Sequence, residues 1–368
     1  MQYKLRDSLV SVAKVSYAKE DEAESHESFS IDCSAGSNPF LMPDAAKKAV
    51  TQATIAQVNL YPHYSGLKKA ICRSLSASAS LSPKNLLLTA GSIDGISLVL
   101  TAFSRPGART LGVCPQFSDY MSCSKLLGYE YLAAPLCTQN GLAFDKNAVL
   151  SRIDSSLSLV YIDNPNNPTG QMIPLGVLKE IALAAREHGA CLIIDEAYGD
   201  YMPEENFAAP LIGELDNVIV LRTFSKGWGL AGLRAGYVIA SEEMIGVLSK
   251  LSNPYVISEP ARIVCEAALS DPLFLQGCRQ SIAARKAALR KALCGKLSMA
   301  KTEDAVPICL LIHEDPGCDL QKVFASHGVS VVSGSDFLSL SGNSVRLRLP
   351  DPAQFDELLD IVRTIDRC

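Results

Sequence analysis

The stretch Thr223-Phe-Ser-Lys226-Gly-Trp-Gly-Leu-Ala-Gly-Leu-Arg234 follows a short apolar run at 218–221. Two hydroxyl residues precede its lysine, an arginine follows eight positions later, and glycines stand at 227, 229 and 232. Glycine has no Cβ, so it lets a bulky group come close to the backbone. A lysine that lies near another cation and is partly removed from water has a lowered pKa, which suits it to attack a carbonyl carbon and form a Schiff base. A lone lysine in such a loop would be an ordinary surface residue, so the interpretation depends on its surroundings.

Short apolar runs alternate with amphipathic segments on both sides of this stretch. A helix is predicted over residues 175–188, which carry apolar residues at helical spacing, and Gly189 is placed to end it. Alternation of this kind predicts an α/β fold with a mainly parallel central sheet and helices on both faces. The predicted strands are 86–89, 110–114, 158–162, 191–194 and 218–221.

The pattern changes at about residue 250. Residues 260–297 are predicted to be largely helical, and 319–327 and 352–367 predict two more helices. Apolar runs at 306–312, 329–332 and 344–349 predict the strands of a second sheet. We therefore expect a large domain over 41–248 and a smaller α+β domain over 249–368. Residues 1–40 are polar and acidic, and predict an N-terminal arm that is part of the small domain.

Composition excludes several classes of protein. The chain has 368 residues, 48% of them apolar and 20% charged, as in an ordinary globular protein. Its net charge of −5 leaves no basic excess to neutralise phosphates, so no nucleic-acid partner is expected. No apolar run is long enough to span a bilayer, and the first residues lack the apolar core of a signal peptide. We therefore expect no membrane partner and a cytoplasmic location.

The twelve cysteines and five histidines do not follow the spacing of a metal site. The chain contains no Cys-x-x-Cys pair, and the histidines are spread from position 26 to 327. Zinc sites and redox motifs usually bring their ligands together in close pairs along the chain. We therefore expect no metal ion.

Reactive side chains follow three successive predicted strands. These are Asn164-Pro-Asn-Asn-Pro-Thr-Gly170, Asp195-Glu-Ala-Tyr198 and the lysine stretch itself. Taken singly, each motif has an ordinary structural explanation: the first is typical of a turn, Asp195 could cap a helix and Tyr198 could pack in a core. Ligands of open α/β sheets bind beyond the carboxyl ends of the strands. An amide, a carboxylate, a phenol and a lysine are therefore expected to meet in one crevice.

Together these motifs resemble those of fold type I pyridoxal 5'-phosphate (PLP) enzymes, specifically class I/II aminotransferases near the histidinol-phosphate aminotransferase branch. The resemblance extends from about Asp32 to Leu349 and includes Ser-Lys-x-x-x-Leu-Ala-Gly-Leu-Arg at 225–234. It implies a fold type I transferase whose large domain binds PLP. It also implies amino transfer between a free L-amino acid and a 2-oxo acid, through a Lys226 aldimine and a quinonoid.

The resemblance assigns roles around the cofactor ring. Lys226 would form the aldimine and move protons, and Asp195 would pair with the pyridine nitrogen, so that the ring remains an electron sink. Asn167 and Tyr198 would bond the phenolic oxygen, and Lys226, Asp195 and Tyr198 are the predicted catalytic residues. Phe117 would stack on the ring where the family usually has tyrosine.

The residues expected at the cofactor phosphate lie in two segments. Ser92 and Ile93 stand between a predicted strand and an apolar helix, where backbone N–H groups can bind a dianion. The family pattern adds Thr223, Ser225 and Arg234. Tyr61 resembles the tyrosine that reaches the phosphate of the neighbouring subunit, which implies a homodimer.

Substrate recognition is predicted at two places. Arg346 matches the family arginine that binds the α-carboxylate, a task for which a bidentate guanidinium is suited. Arg348 lies two residues on and is expected on the same face of the strand. The match of Val345-Arg-Leu favours Arg346. Gly36 and Asn38 resemble the family segment that closes over the substrate.

One departure from the family bears on the substrate. Histidinol-phosphate aminotransferases carry a second arginine for the substrate phosphate, whereas residues 331–337 here read Val-Val-Ser-Gly-Ser-Asp-Phe. Histidinol phosphate is therefore not the expected substrate. Four alternatives to transamination remain open: elimination with cyclisation, as on a hydroxylated arginine, PLP-dependent decarboxylation, a PLP-binding transcription regulator, and an inactive scaffold. The retained Lys226, Asp195 and Arg234 argue against the scaffold. The regulator would need a DNA-binding domain in place of the short acidic arm.

Overall fold

The computed structural model describes residues 6–16, 29–52 and 58–367. Its strands, in chain order, are β1 (Ile31–Asp32), β2 (Leu86–Thr89), β3 (Arg109–Cys114), β4 (Glu130–Pro135), β5 (Leu157–Asp163), β6 (Cys191–Asp195), β7 (Val218–Thr223), β8 (Gly236–Ile239), β9 (Leu297–Met299), β10 (Ile308–His313), β11 (Val329–Ser330), β12 (Val332–Ser333) and β13 (Ser344–Arg348). The helices are α1 (Asp7–Ser11), α2 (Asp44–Gln52), α3 (Ser65–Ser74), α4 (Ser92–Phe103), α5 (Ser118–Leu126), α6 (Lys146–Leu150), α7 (Leu175–Glu187), α8 (Glu242–Leu248), α9 (Glu259–Ala268), α10 (Pro272–Ala292), α11 (Leu320–Ser326) and α12 (Phe355–Arg367).

The large sheet has the strand order β2-β8-β7-β6-β5-β3-β4. From β7 through β4 all neighbouring strands are parallel, whereas β8 runs antiparallel to both of its neighbours. The mainly parallel sheet expected from the sequence is therefore confirmed. Strands β4 and β8 were not anticipated.

Burial on both faces explains why the central strands are mostly apolar. Every residue of β5, β6 and β7 is buried. Alternate side chains enter two cores: Val160 and Ile162 pack on one face of the sheet, and Leu159 and Tyr161 on the other. A parallel sheet covered by helices on both faces produces this pattern.

The second sheet has the order β12-β13-β10-β9 and is antiparallel. Strand β1 pairs with β11, with Ile31 opposite Val329 and Asp32 opposite Ser330. The apolar run predicted at 329–332 therefore forms two short strands that belong to different sheets. None of the helices in the described residues is long and apolar enough to cross a membrane.

The predicted N-terminal arm packs at two different places. Residues 31–32 pair with β11 in a separate two-stranded sheet, whereas α1 and the residues after it lie on α5 of the large domain. There Ser8 Oγ donates to Leu126 O at 2.7 Å, and Val15 N donates to Ser122 Oγ at 2.9 Å. The acidic run predicted as part of the arm lies at 19–27, outside the described residues.

Candidate active site

The parallel strands β5, β6 and β7 end at the same edge of the large sheet, and a cleft of about 240 Å³ opens there. Ten of the eleven residues predicted to bind the cofactor line this cleft, and the eleventh, Tyr61, does not. The lining residues are Ser92, Ile93, Phe117, Asp119, Asp163, Pro165, Asn167, Asp195, Ala197, Tyr198, Thr223, Ser225, Lys226, Ala231 and Arg234.

Lys226 faces Tyr198 within the cleft. Its Nζ lies 5.6 Å from the centroid of the Tyr198 ring. The backbone of the lysine is held from behind, because Tyr201 Oη donates to Lys226 O at 3.3 Å. Tyr198 Oη is buried and has no hydrogen-bond partner among the described residues. Burial raises the pKa of the Tyr198 phenol, and the charge of Arg346 opposes that rise. The phenol is therefore a neutral donor that faces the cleft.

Asp195 is a buried carboxylate at the end of β6, only 2% exposed. Tyr161 Oη donates to its Oδ2 at 2.9 Å, and Ala197 N donates to its Oδ1 at 2.9 Å. Burial raises the pKa of Asp195 to about 6, while these two hydrogen bonds and the charge of Lys226 work against the rise. At neutral pH the carboxylate is therefore mostly ionised and can pair with a cation in the cleft.

One corner of the cleft is suited to an anion. The N-terminus of α4 begins at Ser92, after Gly91 with a φ of 82°. A Cβ on Gly91 would lie 3.0 Å from Arg234 Nη2, so the guanidinium closely approaches this turn. Arg234 donates to Ser225 Oγ at 3.5 Å and to Ala231 O at 3.1 Å, and it has no carboxylate partner among the described residues. Helix N–H groups, hydroxyls and an arginine together can bind a phosphate dianion.

Asp163, at the end of β5, orients two of the predicted cofactor residues. Its Oδ2 accepts from Phe117 N at 3.1 Å and from Asn167 N at 2.9 Å. Its Oδ1 accepts from Asn166 Nδ2 at 2.8 Å. Burial nevertheless raises the pKa of Asp163 to about 7. This residue connects the ring-stacking position on one loop with the amide on the next.

The predicted substrate segment lies over Lys226 but does not line the cleft. An ideal Cβ on Gly36 would be 2.5 Å from Lys226 Nζ. Asn38 Nδ2 donates to Gly227 O at 2.6 Å, so this side chain holds the lysine loop. The two arginines of β13 hold the start of the same segment: Arg346 donates to Ser34 O, and Arg348 donates to Asp32 O at 2.5 Å.

Tyr61 lies outside the cleft of its own chain. Its side chain is 73% exposed, and its ring stacks on Tyr255 with centroids 4.5 Å apart. This placement leaves the phenol free to contact another molecule.

Sequence reasoning missed three polar residues: Tyr161, which donates to Asp195, and Asp163 and Asp119, which line the cleft. The first two occupy alternate positions of β5 and therefore lie on the same face of that strand, a signal that the sequence contained. Asp119 stands two residues after Phe117, is buried and lines the cleft. Its pKa is raised by burial, against a hydrogen bond from Ser16 and the charge of Lys14.

Comparison with known proteins agrees with this arrangement. Residues 30–362 match the model of the family "Aminotransferase class I and II". Histidinol-phosphate aminotransferase 1 of Cupriavidus pinatubonensis (strain JMP 134) is 30% identical over 325 residues, which cover 87% of this chain and 85% of the relative.

Solved structures share the fold at lower identity. Histidinol-phosphate aminotransferase of Sinorhizobium meliloti, in complex with pyridoxal-5'-phosphate, superposes with a TM-score of 0.83 at 21% identity and 98% coverage of both chains. Aspartate aminotransferase of Thermus thermophilus with maleate superposes with a TM-score of 0.84 at 19% identity, over 99% of this chain and all of that one.

Proposed function

The chain belongs to the class I and II aminotransferase family, and on that premise we propose that it binds PLP in the cleft and transfers the amino group of a free L-amino acid to a 2-oxo acid. The observation that carries this proposal is the position of Lys226 beside two buried groups, the Asp195 carboxylate and the Tyr198 phenol. A lysine amine, an ionised carboxylate and a neutral phenol are the groups that an aminotransferase needs around its cofactor.

The residues present fit PLP. Tyr198 Oη is a buried donor without a hydrogen-bond partner among the described residues. It can therefore donate to an oxygen of the cofactor. Asp195 has one protein donor on each of its oxygens and still has a lone pair for a ring N–H. The corner formed by α4, Ser225 and Arg234 is of the kind that binds a phosphate. PLP carries a phosphate, a protonated ring nitrogen and a phenolic oxygen, and these groups match the anion corner, the Asp195 carboxylate and the Tyr198 phenol.

PLP, when bound, supplies a carbonyl that takes up the amino group and a ring that accepts electrons from the substrate's Cα. Lys226 would hold the cofactor covalently between turnovers. Once released from the cofactor, its amine would take the proton from Cα at Nζ and deliver it to the cofactor carbon C4'. Asp195 would hold the ring nitrogen in its protonated form, and Phe117 would pack against the ring.

The remaining residues bind and orient the cofactor. Asn167 and Tyr198 would donate hydrogen bonds to the phenolic oxygen. The backbone N–H groups at Ser92 and Ile93 would bind the phosphate, together with the side chains of Thr223, Ser225 and Arg234.

We infer that Arg346 binds the α-carboxylate of the substrate. Its side chain is fully buried, it donates to Ser34 O in the segment over Lys226, and its charge acts on the Tyr198 phenol. Gly36 and Asn38 would close the site from above by holding the segment over Lys226.

The substrate side chain is proposed to be neutral or cationic. Among the described residues that line the cleft, the cations are Lys226 and Arg234, and both have a role with the cofactor. Asp119 adds a carboxylate to the wall. A phosphorylated side chain would therefore meet no free cation there, which argues against the substrate named for the relatives.

The active form is proposed to be a homodimer. The exposed, stacked ring of Tyr61 would reach the cofactor phosphate of the partner subunit. The domain limits at 41–248 and 249–368 and the cytoplasmic location stay predictions from the sequence.

The proposal is tested with the full-length protein reconstituted with PLP. The protein is incubated with each L-amino acid, with and without 2-oxoglutarate, and products are read by mass spectrometry. We expect a 2-oxo acid and glutamate to form together, and without 2-oxoglutarate the cofactor should accumulate in its amino form. The Lys226→Ala variant should lose both the absorption band of the lysine-bound cofactor and turnover.

Two outcomes would contradict the proposal. Turnover without a 2-oxo acid and without the amino form of the cofactor would show elimination or decarboxylation instead. Retained turnover in the Lys226→Ala variant would show that Lys226 is not the residue that holds the cofactor and moves the proton.

A further inference from the structure

Tyr161 contacts Asp195 inside the sheet, outside the set of residues that the family motifs identify. It lies on β5, where it pairs with Ile193 of β6, two residues before Asp195 on the same face. Its Oη reaches forward to Asp195 Oδ2 at 2.9 Å. Tyr161 is fully buried, so this bond is shielded from water. A shielded hydrogen bond to a charged group is stronger than one at the surface.

The pKa values of the Tyr161 phenol and the Asp195 carboxyl determine which of the two groups donates this hydrogen bond. Burial and the neighbouring carboxylates raise the pKa of Tyr161 well above its usual value. The phenol therefore keeps its proton at neutral pH and donates it. The acceptor is the ionised form of Asp195, which the bond favours over the protonated form.

The ring of Tyr161 is fixed by its surroundings. It stacks on Tyr120 with centroids 3.8 Å apart and an interplanar angle of 12°. Tyr120 is itself held by a hydrogen bond of 2.6 Å between its Oη and Thr110 Oγ1. A ring packed in this way cannot swing away from Asp195 without opening the core.

We propose that Tyr161 is a positioning residue that keeps Asp195 ionised and aimed at the pyridine nitrogen of PLP. This inference rests on the proposed function, because it requires Asp195 to pair with that nitrogen. Without the phenol, Oδ2 would lose its protein donor inside a buried site. The carboxylate would then be harder to ionise, and its pairing with the ring N–H would weaken.

The test compares Tyr161→Phe with Tyr120→Phe in the full-length protein. Both variants remove one buried hydroxyl and keep the stacked pair, but only Tyr161 bonds Asp195. The dissociation constant of PLP is measured by quenching of Trp228, the single tryptophan, two residues from the lysine. Protonation of the ring nitrogen is read by NMR of bound PLP labelled with ¹⁵N.

Tyr161→Phe is expected to raise the PLP dissociation constant roughly tenfold or more, the effect of losing a hydrogen bond to a charged group. The ¹⁵N resonance should shift toward that of an unprotonated pyridine. Tyr120→Phe should change neither quantity. An unchanged resonance and dissociation constant in Tyr161→Phe would overturn the inference, as would equal effects in the two variants.

Asp195→Asn separates this inference from the proposed function. If Asp195→Asn weakens PLP binding and Tyr161→Phe does not, only the role of Tyr161 is wrong. If Asp195→Asn also leaves PLP binding and ring protonation unchanged, the proposed role of Asp195 is wrong.

A second variant covers the case in which Tyr161→Phe does not fold. Replacing Tyr161 with 3-fluorotyrosine keeps the ring and the hydroxyl but makes the hydroxyl a stronger donor. It should tighten PLP binding and favour the protonated ring. Weaker binding in that variant would contradict the inference.

Discussion

Gly36 lies directly against Lys226: a Cβ at this glycine would be 2.5 Å from Nζ, and it would also lie 2.9 Å from Tyr198 Oη. Real Cβ atoms essentially never come so close to another heavy atom. The segment from Asp32 to Asn38 is thus closed over the lysine, and the hydrogen of a glycine is what fits between them. Its ends are held by Arg348 at Asp32 and by Asn38 at Gly227.

Gly36→Ala should displace either the lysine amine or the segment above it. A misplacement of about 1 Å at a reacting group can lower the rate by about 100-fold, so we expect a fall in kcat/KM of that order. Steady-state kinetics and the absorption band of bound PLP measure the effect. Gly176→Ala is the matched control, because a Cβ there would meet nothing within 4 Å. Wild-type kinetics in Gly36→Ala would show that the segment lies elsewhere during turnover.

Replacing Arg346 and replacing Arg348, the two arginines of β13, should have different effects. Arg346→Lys is expected to raise KM for the amino acid roughly tenfold or more, since an ammonium cannot bind a carboxylate through two parallel bonds. Arg348→Lys should mainly lower the melting temperature, because Arg348 holds Asp32 through the backbone oxygen and, at 3.4 Å, the carboxylate. The opposite pattern would move the carboxylate-binding role to Arg348.

Asp163 should make stability depend on pH. Its pKa is raised by burial from 3.8 to about 7, so between these values the folded protein binds more protons than the unfolded chain. The free energy of unfolding therefore falls as the pH rises through that window. The asparagine of the Asp163→Asn variant cannot ionise, so the free energy of unfolding of this variant should fall less as the pH rises. Between pH 5 and pH 8 we expect wild type to lose up to about 3 kcal/mol relative to the variant.

Denaturant unfolding of the PLP-free proteins measures that difference. The buried acid Glu196 is present in both proteins, so its contribution cancels in the comparison. The charge of Asp195 helps to raise the pKa of Asp163, so this coupling is part of the difference measured. Parallel pH profiles would mean that Asp163 is not protonated on folding.

Tyr61 should act in the site of the partner subunit. In a mixed dimer of Lys226→Ala and Tyr61→Phe chains, one site would combine an intact Lys226 with the intact Tyr61 of the other chain. Mixing two impaired variants should therefore restore activity, up to one working site in each mixed dimer. If Tyr61 served its own chain, both sites would stay impaired and mixing would restore nothing. The measurement is turnover after the variants are unfolded together and refolded.

Much of the fold and of the cofactor site was predictable from the sequence, for a local reason. The runs 159–162, 191–194 and 218–221 are apolar throughout, which is typical of strands covered on both faces. Parallel strands end at a common edge, so reactive residues just after such runs must meet there. This pattern places Asn167, Asp195, Tyr198 and Lys226 at the edge, and the family resemblance added the other six of the ten predicted cofactor residues that line the cleft.

Only the tertiary structure decided what lies around those residues. The pairing of β1 with β11 joins positions nearly 300 residues apart, and no local periodicity encodes that register. This pairing holds the start of the segment that lies over Lys226, together with the contacts of Arg348 at Asp32 and Asn38 at Gly227. The contact of Tyr161 with Asp195 depends in the same way on the register between β5 and β6. Residue order thus determined which reactive groups share the sheet edge, whereas burial and long-range pairing determined their ionisation and what covers them, because both arise only when distant segments pack together.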